Sequence, residues 1–232
     1  MMSSARMFQL SSIAIILLFG MGGYFWYRVS AGVSTNNSPV PSEMSASGLV
    51  GYWTFDGVDM TATQALDKSG NSNTGILTGT TRTAGRLGQS LNFNGTSNLV
   101  TIGDQSVFSP SVNDLTISFW AKIPTTASSS GDASCGGSGR YFLAKGQNPS
   151  DWEWGIENDS NSLLCATLWQ ATGNNHATLS VSKTLNDGQW HHYIVVIDYL
   201  VSFSIFIDGA LASSTATFSG TMLDAAASVL IG

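Results

Sequence analysis

The clearest candidate for metal chemistry is the stretch Asp-Lys-Ser-Gly-Asn-Ser-Asn at residues 67–73. Asp67, Asn71 and Asn73 offer one carboxylate and two amide oxygens, and the glycine between them lets the backbone bend so that these groups converge. Asp56, which precedes another glycine, adds a second carboxylate if the two loops meet. Oxygen ligands of this kind suit a hard cation, for which this loop is a candidate site. A purely structural turn would use the same residues, because Asp and Asn side chains cap their own backbone.

Three tryptophans near polar segments are the candidates for ligand binding: Trp152, Trp154 and Trp169. Flat indole rings stack on the apolar faces of sugars, so these residues indicate carbohydrate recognition; packing in the core is the alternative. A second set lies in strand-like segments and is interpreted as core: Trp53, Trp120 and Trp190.

Three carboxylates, Asp151, Glu153 and Glu157, have spacings that place them on one side of a strand. A retaining glycosidase needs a carboxylate pair about 5 Å apart, so these residues define an enzymatic alternative. The pair His191 and His192 is interpreted as structural, because adjacent strand residues point to opposite faces and cannot bind one metal together.

The elements that position these residues are indicated by composition. Charged residues make up 10% of the 232 residues and hydrophobic residues 43%, and the acids comprise 12 Asp against only 3 Glu. Asp favours turns whereas Glu favours helices, so strands joined by polar loops are expected. The net charge of −6 without a basic cluster excludes nucleic acid as a partner.

The amino-terminal segment 8–27 contains no charged residue and is long enough to cross a bilayer as a helix. We expect residues 1–31 to be a cleaved signal peptide or a retained membrane anchor, with membrane contact only through 8–27. Residues 32–47 are rich in small polar residues and proline and are predicted to be a flexible linker. The folded domain then spans 48–232 and is extracytoplasmic, either secreted or membrane-anchored.

Cys135 and Cys165 are the only cysteines of the chain. Because both lie in the part expected to be exported, a disulfide between them is predicted; two free thiols are the alternative. The bridge would pin the Ser/Gly-rich stretch 125–139, which is predicted to be a long surface loop.

Short runs rich in β-branched and aromatic residues alternate with turn residues along the domain. The sequence predicts an all-β, two-sheet antiparallel sandwich. Two hairpin turns are predicted, at Asp208-Gly209 and at Asn94-Gly95. The predicted strands are 49–55, 90–93, 98–102, 115–123, 141–145, 152–156, 163–169, 177–181, 192–198, 202–208 and 228–231.

Several segments in one fixed order resemble the laminin-G-like, concanavalin A-like jelly-roll domains. They are GLVGYWTFDG (48–57), the 67–73 turn, GRLGQSLNFNGTSNLVTI (85–102), LTISFWAKI (115–123), DGQWHHYIVVID (187–198) and IFIDGA (205–210). The resemblance implies a curved jelly roll that serves as a binding or adhesion module, sometimes with calcium at one rim. Glucanases of this superfold carry a Glu-x-Asp-x-Glu arrangement that is absent here, which disfavours the enzymatic alternative.

We therefore expect a non-enzymatic module that binds carbohydrate or an extracellular protein; a glycan-active hydrolase and a structural surface domain without ligand are the alternatives. The chain ends within an apolar run, Ser228–Gly232, whereas similar domains continue through a closing strand that contains an Ile-Asp pair. The sequence thus predicts an incomplete domain with an open sheet edge beside Leu49–Phe55.

Overall fold

The structure is a computed structural model of the chain. It describes residues 8–16, 48–111, 114–125, 140–147, 151–158, 163–171, 176–199, 201–215 and 221–232. Among these residues, no helix is long and apolar enough to cross a membrane.

The described residues form strands with two single-turn 3-10 helices, Gly57–Asp59 and Ser106–Phe108. The strands are β1 Phe8–Ile16, β2 Leu49–Trp53, β3 Gln64–Ala65, β4 Gly75–Thr78, β5 Thr81–Ala84, β6 Gln89–Phe93, β7 Leu99–Ile102, β8 Leu115–Lys122, β9 Arg140–Lys145, β10 Trp154–Asn158, β11 Leu163–Trp169, β12 His176–Thr184, β13 Trp190–Asp198, β14 Ser202–Ile207, β15 Ala210–Thr215 and β16 Val229–Ile231.

Two antiparallel sheets contain all of these strands. Sheet A has the order β15-β14-β13-β8-β1-β6-β5, and β2 also pairs with β1. Sheet B has the order β12-β11-β10-β9-β16-β7-β4-β3. The chain crosses repeatedly from one sheet to the other, as expected for a jelly roll.

The core lies between the two sheets. Alternate residues of β8 and β13 face it, so that Ile117, Phe119, Tyr193 and Val195 are at most 1% exposed. Buried residues of β10 and β11 from sheet B belong to the same continuous cluster. The predicted all-β sandwich is therefore the observed architecture.

Strand β1 differs from the helix predicted for residues 8–27. Residues 8–16 pair with β8 along one side, and with β6 and β2 along the other. Isoleucine is β-branched and favours extended backbone, and the neighbouring strands offer backbone partners on both sides. Residues 17–47 lie outside the described part, so the signal peptide or anchor and the linker stay predictions.

Beside β2, where an open edge was predicted, the β1 backbone pairs along one side, and β2 has no other strand partner among the described residues, so the incomplete domain stays a prediction. The register aligns Ile13 with Trp53 and Ala14 with Tyr52. The sequence argument assumed that only a closing strand after β16 could occupy this place.

One of the two predicted hairpins is confirmed. Asp208 and Gly209 have φ of 52° and 82° and join β14 to β15, as a type I′ turn requires. The hairpin predicted at Asn94-Gly95 is wrong, because β6 and β7, the strands on either side, belong to different sheets. The Asn94 side-chain oxygen instead accepts the backbone N–H groups of residues 96–98, which turns the chain from sheet A to sheet B.

Candidate functional site

Three aromatic side chains meet on the outer face of sheet B, the face turned away from sheet A. Tyr141 lies in β9, Trp152 precedes β10 and Trp169 ends β11. The Trp152 ring centroid is 4.5 Å from that of Tyr141 and 4.8 Å from that of Trp169, both in edge-on contact. All three are partly exposed. We call this group the sheet B platform.

Gly155 in β10 gives the platform its shape. A Cβ atom at this position would overlap the Tyr141 ring and lie 3.5 Å from the Trp169 ring. Glycine therefore allows the Tyr141 ring to lie close against the backbone of the sheet. A continuous apolar surface results, three strands wide.

Polar groups border the platform. Glu157 is fully buried in β10. Burial, followed by the nearby Glu157 charge, raises the pKa of the Tyr141 hydroxyl far above its ordinary value, so Tyr141 stays neutral. The hydroxyls of Thr167 and Thr178 are 3.2 Å apart on the neighbouring strands. The exposed His176 ring lies 6.3 Å from that of Trp169. The platform thus combines flat rings with hydrogen-bonding groups.

Trp154 is not part of this surface, which corrects its selection as a ligand-binding residue. Its side chain is 1% exposed, and its indole N–H donates to the Phe108 carbonyl at 2.8 Å. The alternation of β10 directs it into the core. Trp53 is fully buried, as predicted.

Trp120 and Trp190 were expected in the core, but both are partly exposed on the outer face of sheet A. The alternation in β8 explains Trp120: its neighbour Phe119 faces the core at 1% exposed. The His192 ring stacks on Trp120 with centroids 5.0 Å apart, and the Arg86 guanidinium lies 5.3 Å from the Trp120 centroid.

Ser118 completes the polar side of this group, since its hydroxyl is 2.8 Å from His192 Nε2. Burial lowers the pKa of His192, and the nearby Asp208 charge opposes this shift. We call Arg86, Ser118, Trp120 and His192 the sheet A cluster.

The two adjacent histidines face opposite sides of β13, as predicted. His191 is 9% exposed, and its ring nitrogens lie 2.7 Å from Asp208 and 3.2 Å from Asp187. Asp208 Oδ1 also accepts the His192 backbone N–H. His191 therefore ties the β14–β15 turn to the loop before β13.

The 67–73 loop is built as a turn around Asp67. One carboxylate oxygen accepts the backbone N–H groups of Tyr52 and Ser69, and the other accepts the Ser69 hydroxyl and the Asn73 N–H, all at 2.8 to 2.9 Å. Each oxygen is thus occupied by two donors.

The side chains of Asn71 and Asn73 serve the same turn, donating to the carbonyls of Leu49 and Val50 at 2.8 Å. Asp56 is engaged elsewhere, since it accepts the N–H of Gln89 at 2.7 Å. Among the described residues, no group of three or more His, Cys, Asp or Glu could hold a metal ion. The arrangement does not fit calcium without displacing these bonds, and calcium binding stays a prediction.

The three carboxylates of the enzymatic alternative have separate partners. Asp151 accepts the backbone N–H of Gln147, and Glu153 pairs with Lys145. Glu157 lies beside Tyr141, four residues or about 13 Å of extended strand beyond Glu153. That separation exceeds the spacing of a glycosidase pair.

Lys145 is a fully buried cation at the end of β9. Its ammonium lies 2.6 Å from Glu153, 2.7 Å from Asp104 and 3.0 to 3.1 Å from the carbonyls of Ala225 and Ala227. Glu153 also accepts the Ala225 N–H at 3.0 Å. Burial raises the pKa of Glu153, and the Lys145 interaction acts in the opposite direction. This group, the Lys145 network, joins three loops at one rim of sheet B.

Cys165 is fully buried in β11 and is disulfide-bonded. Its predicted partner, Cys135, lies outside the described residues, so the Cys135–Cys165 pairing itself stays a prediction.

The family follows from a sequence match. A family model described as the concanavalin A-like lectin/glucanases superfamily matches residues 94–232. The chain belongs to this superfamily, which confirms the resemblance drawn from its motifs. No curated protein matches the sequence.

Solved structures share the fold at low identity. The binding domain of Paraclostridial Mosquitocidal Protein 1 aligns with 75% of this chain at a TM-score of 0.59 and 15% identity. This chain spans only 42% of that domain. The binding domain of botulinum neurotoxin DC in complex with SialylT aligns with 72% of this chain and is itself covered over 40%, at a TM-score of 0.53 and 16% identity.

A third structure is covered over most of its length. It is domain 4 of AbnA, a GH43 extracellular arabinanase from Geobacillus stearothermophilus, in complex with arabinotriose. The match covers 79% of this chain and 82% of that domain, with a TM-score of 0.55 and 19% identity. At these identities the likeness shows the fold alone.

Proposed function

We propose that this chain is a glycan-binding module, without catalytic activity, that binds uncharged sugars on the sheet B platform. The observation that carries the proposal is the group of Tyr141, Trp152 and Trp169, held together on an outer sheet face in partial exposure. Large aromatic surfaces are normally buried, so rings left partly open on a rigid sheet suit a ligand with flat apolar faces.

The charges around the platform favour a neutral sugar. Tyr141 stays protonated, and the carboxyl group beside it belongs to Glu157, so an anionic ligand would gain nothing there. The partly exposed Thr178 hydroxyl and the exposed His176 ring provide hydrogen-bonding groups for sugar hydroxyls. We expect affinity for neutral oligosaccharides and little for acidic ones at this face.

The comparisons support a binding role at the coarser level, since the similar structures are binding domains or accessory domains. An extracytoplasmic location is part of the proposal. The disulfide at Cys165 supports it, because such bonds persist in oxidising compartments.

The test is isothermal titration of the full chain with neutral oligosaccharides of arabinose, glucose and galactose, with hydrolysis products followed in parallel. Replacement of either platform tryptophan, Trp152→Ala or Trp169→Ala, should weaken binding at least about tenfold, equivalent to 1.4 kcal/mol. The matched control is Trp190→Ala, a partly exposed tryptophan on the other sheet, which should leave neutral-sugar affinity unchanged.

Two results would overturn the proposal. One is equal affinity of Trp169→Ala and the unaltered chain for a bound neutral glycan. The other is release of shortened sugars by the unaltered chain but not by Glu157→Gln, which would show a hydrolase.

A further inference from the structure

The outer face of sheet A combines aromatic and basic groups in a way that the neutral-sugar site does not explain. Trp120 and His192 stand side by side on β8 and β13, with their rings stacked at an interplanar angle of 22°. The Arg86 guanidinium reaches the same indole ring from the loop between β5 and β6. Lys122 lies two residues beyond Trp120 on β8 and therefore on the same face.

These two basic residues are unusual in this chain. The chain has 9 Lys and Arg against 15 Asp and Glu. Lys68 pairs with Asp59 at 3.0 Å, Lys145 is buried with two carboxylates, and Arg82 donates to the Thr61 carbonyl.

Arg86 and Lys122 have no such partner. Among the residues that the structure describes, neither lies within ion-pair distance of a carboxylate. In an acidic protein with acids to spare, two unpaired cations on one face leave a local positive potential.

Two acids near β13, Asp187 and Asp208, contact His191. Asp208 contacts His191 through one carboxylate oxygen and the His192 backbone through the other. Asp187 accepts the Gln189 N–H and contacts His191. Neither acid lies within ion-pair distance of Arg86.

We propose that the sheet A cluster, together with Lys122, is a second binding site, which takes a sugar residue bearing a carboxylate. The Arg86 guanidinium presents the planar donor pair that matches a carboxylate, and Lys122 adds a second positive charge. Ser118 offers a hydroxyl, and Trp120 and Trp190 supply ring surface for the sugar. Two cations suit one carboxylate; a polyphosphate backbone would need many more.

This site is independent of the sheet B platform. The two groups lie on opposite outer faces of the sandwich and share no residue. An acidic sugar is the ligand class that the charges of the sheet B platform disfavour. The two sites should therefore sort ligands by charge.

The test is titration of the full chain with two acidic sugars and their neutral counterparts: a galacturonic acid trimer against a galactose trimer, and sialyllactose against lactose. The two acidic arms distinguish a uronic acid from a sialic acid as the source of the carboxylate. We expect at least one acidic sugar to bind ten times more tightly than its neutral counterpart at this face, and the preference to shrink at high salt.

Substitutions assign the binding to this face. Arg86→Gln should weaken acidic-sugar binding at least tenfold, and Arg86→Lys should weaken it less, because the charge remains while the fork is lost. Lys68→Gln and Arg82→Gln are the matched controls, and both should bind as the unaltered chain does. Arg86 is exposed, so unchanged urea midpoints should confirm that the fold is intact.

Trp169→Ala separates this proposal from the previous one, because it should weaken neutral-sugar binding at least about tenfold and leave acidic-sugar binding unchanged. The second site does not exist if Arg86→Gln binds acidic sugars normally, or if acidic and neutral counterparts bind equally. Binding of an acidic peptide but of neither acidic sugar would equally overturn it.

Discussion

The outer faces of the two sheets each carry an aromatic group, but the groups are built differently. On sheet B the rings meet edge-on beside a buried carboxyl group, and within the described part of the chain no cation lies over them. On sheet A an indole is stacked on an imidazole and is approached by a guanidinium. One face is apolar with a negative border, and the other is apolar with a positive border.

The fold itself therefore supplies only an outward-facing aromatic surface on each sheet. Both groups rest on strands that share one core, and period-2 alternation brings Trp169 and Trp120 outward in the same way. What distinguishes the two faces is the short loop after β5 that carries Arg86, and the single acidic residue Glu157 on β10. Ligand selection at such a sandwich follows from a few border residues.

The largest expected effect tests whether the two faces depend on one core. Lys145→Met removes the partner of buried Glu153 and should destabilise the chain by about 3–5 kcal/mol. Urea unfolding measures this loss, and both faces should lose their ligands together. Lys68→Met breaks a surface pair and should cost at most about 1 kcal/mol. Survival of the sheet A site in Lys145→Met under conditions where the sheet B site is lost would show two separately stable regions.

The second prediction concerns the 67–73 loop, which either is a structural turn or binds calcium. Asp67→Asn keeps the shape but loses acceptors for the Ser69 hydroxyl and the Asn73 N–H, so we expect a loss of about 1–3 kcal/mol. Thermal unfolding with calcium and with chelator should give the same difference between variant and parent. A calcium-dependent rise in Tm that only the parent shows would establish a metal site, and ligand binding would then need retesting with calcium.

The third prediction breaks one face alone. Gly155→Ala places a methyl group against the Tyr141 ring, which must move away from the sheet. Neutral-sugar affinity should fall about tenfold, and acidic-sugar affinity should not change. Gly103→Ala is the control, because a Cβ there meets no atom within 4 Å. Equal binding by Gly155→Ala and the control would mean that the platform does not hold the sugar.

The smallest effect concerns pH and the positive face. Burial lowers the pKa of His192 below 6.5, so as pH falls the unfolded chain binds this proton before the folded chain does. Stability should therefore decline as pH falls from about 6.5 through the folded pKa, and His192→Gln should reduce this decline. His176→Gln, at an exposed ring, should not.

Acidic-sugar affinity should rise a few-fold once His192 is protonated, because its charge adds to those of Arg86 and Lys122 and opposes that of Asp208. Neutral-sugar affinity should stay constant over the same range. Titration at several pH values checks both, and a parallel rise at the two faces would contradict their independence.

Much of the fold could be predicted because alternation is a local signal. The strand Leu163–Trp169 agrees with its predicted bounds, and the β13 pattern places every second residue inside. The same rule would have placed Trp120 outside, next to Ser118, had it been preferred over the expectation that large aromatics are buried. Strands β3, β4 and β5, none longer than four residues, and the mostly exposed β15 were not among the predicted strands.

The candidate site could be predicted only in part. Trp152 and Trp169 were selected from their polar surroundings. Tyr141 joins them through the pairing of β9 with β10. Such strand pairing cannot be predicted from the spacing of residues within one strand. Arg86 meets Trp120 across 34 positions of sequence for the same reason. The 67–73 loop shows a different limit of sequence reasoning. Its Asp and Asn residues suit both a metal site and a structural turn, so the sequence alone does not distinguish the two.

Because the Lys145 amine is buried, its chemical labelling would measure local opening of the structure around it. Amine-acylating reagents must reach the amine, which the 43% exposure of the Lys68 side chain allows and the 0% exposure of the Lys145 side chain does not. Lys145 will therefore be labelled only when the rim of sheet B opens, at a rate that follows the free energy of that local opening. Mass spectrometry of the peptide that contains Lys145 would measure the rate of this local opening in the intact chain. The labelling rate of Lys68 would serve as the internal reference.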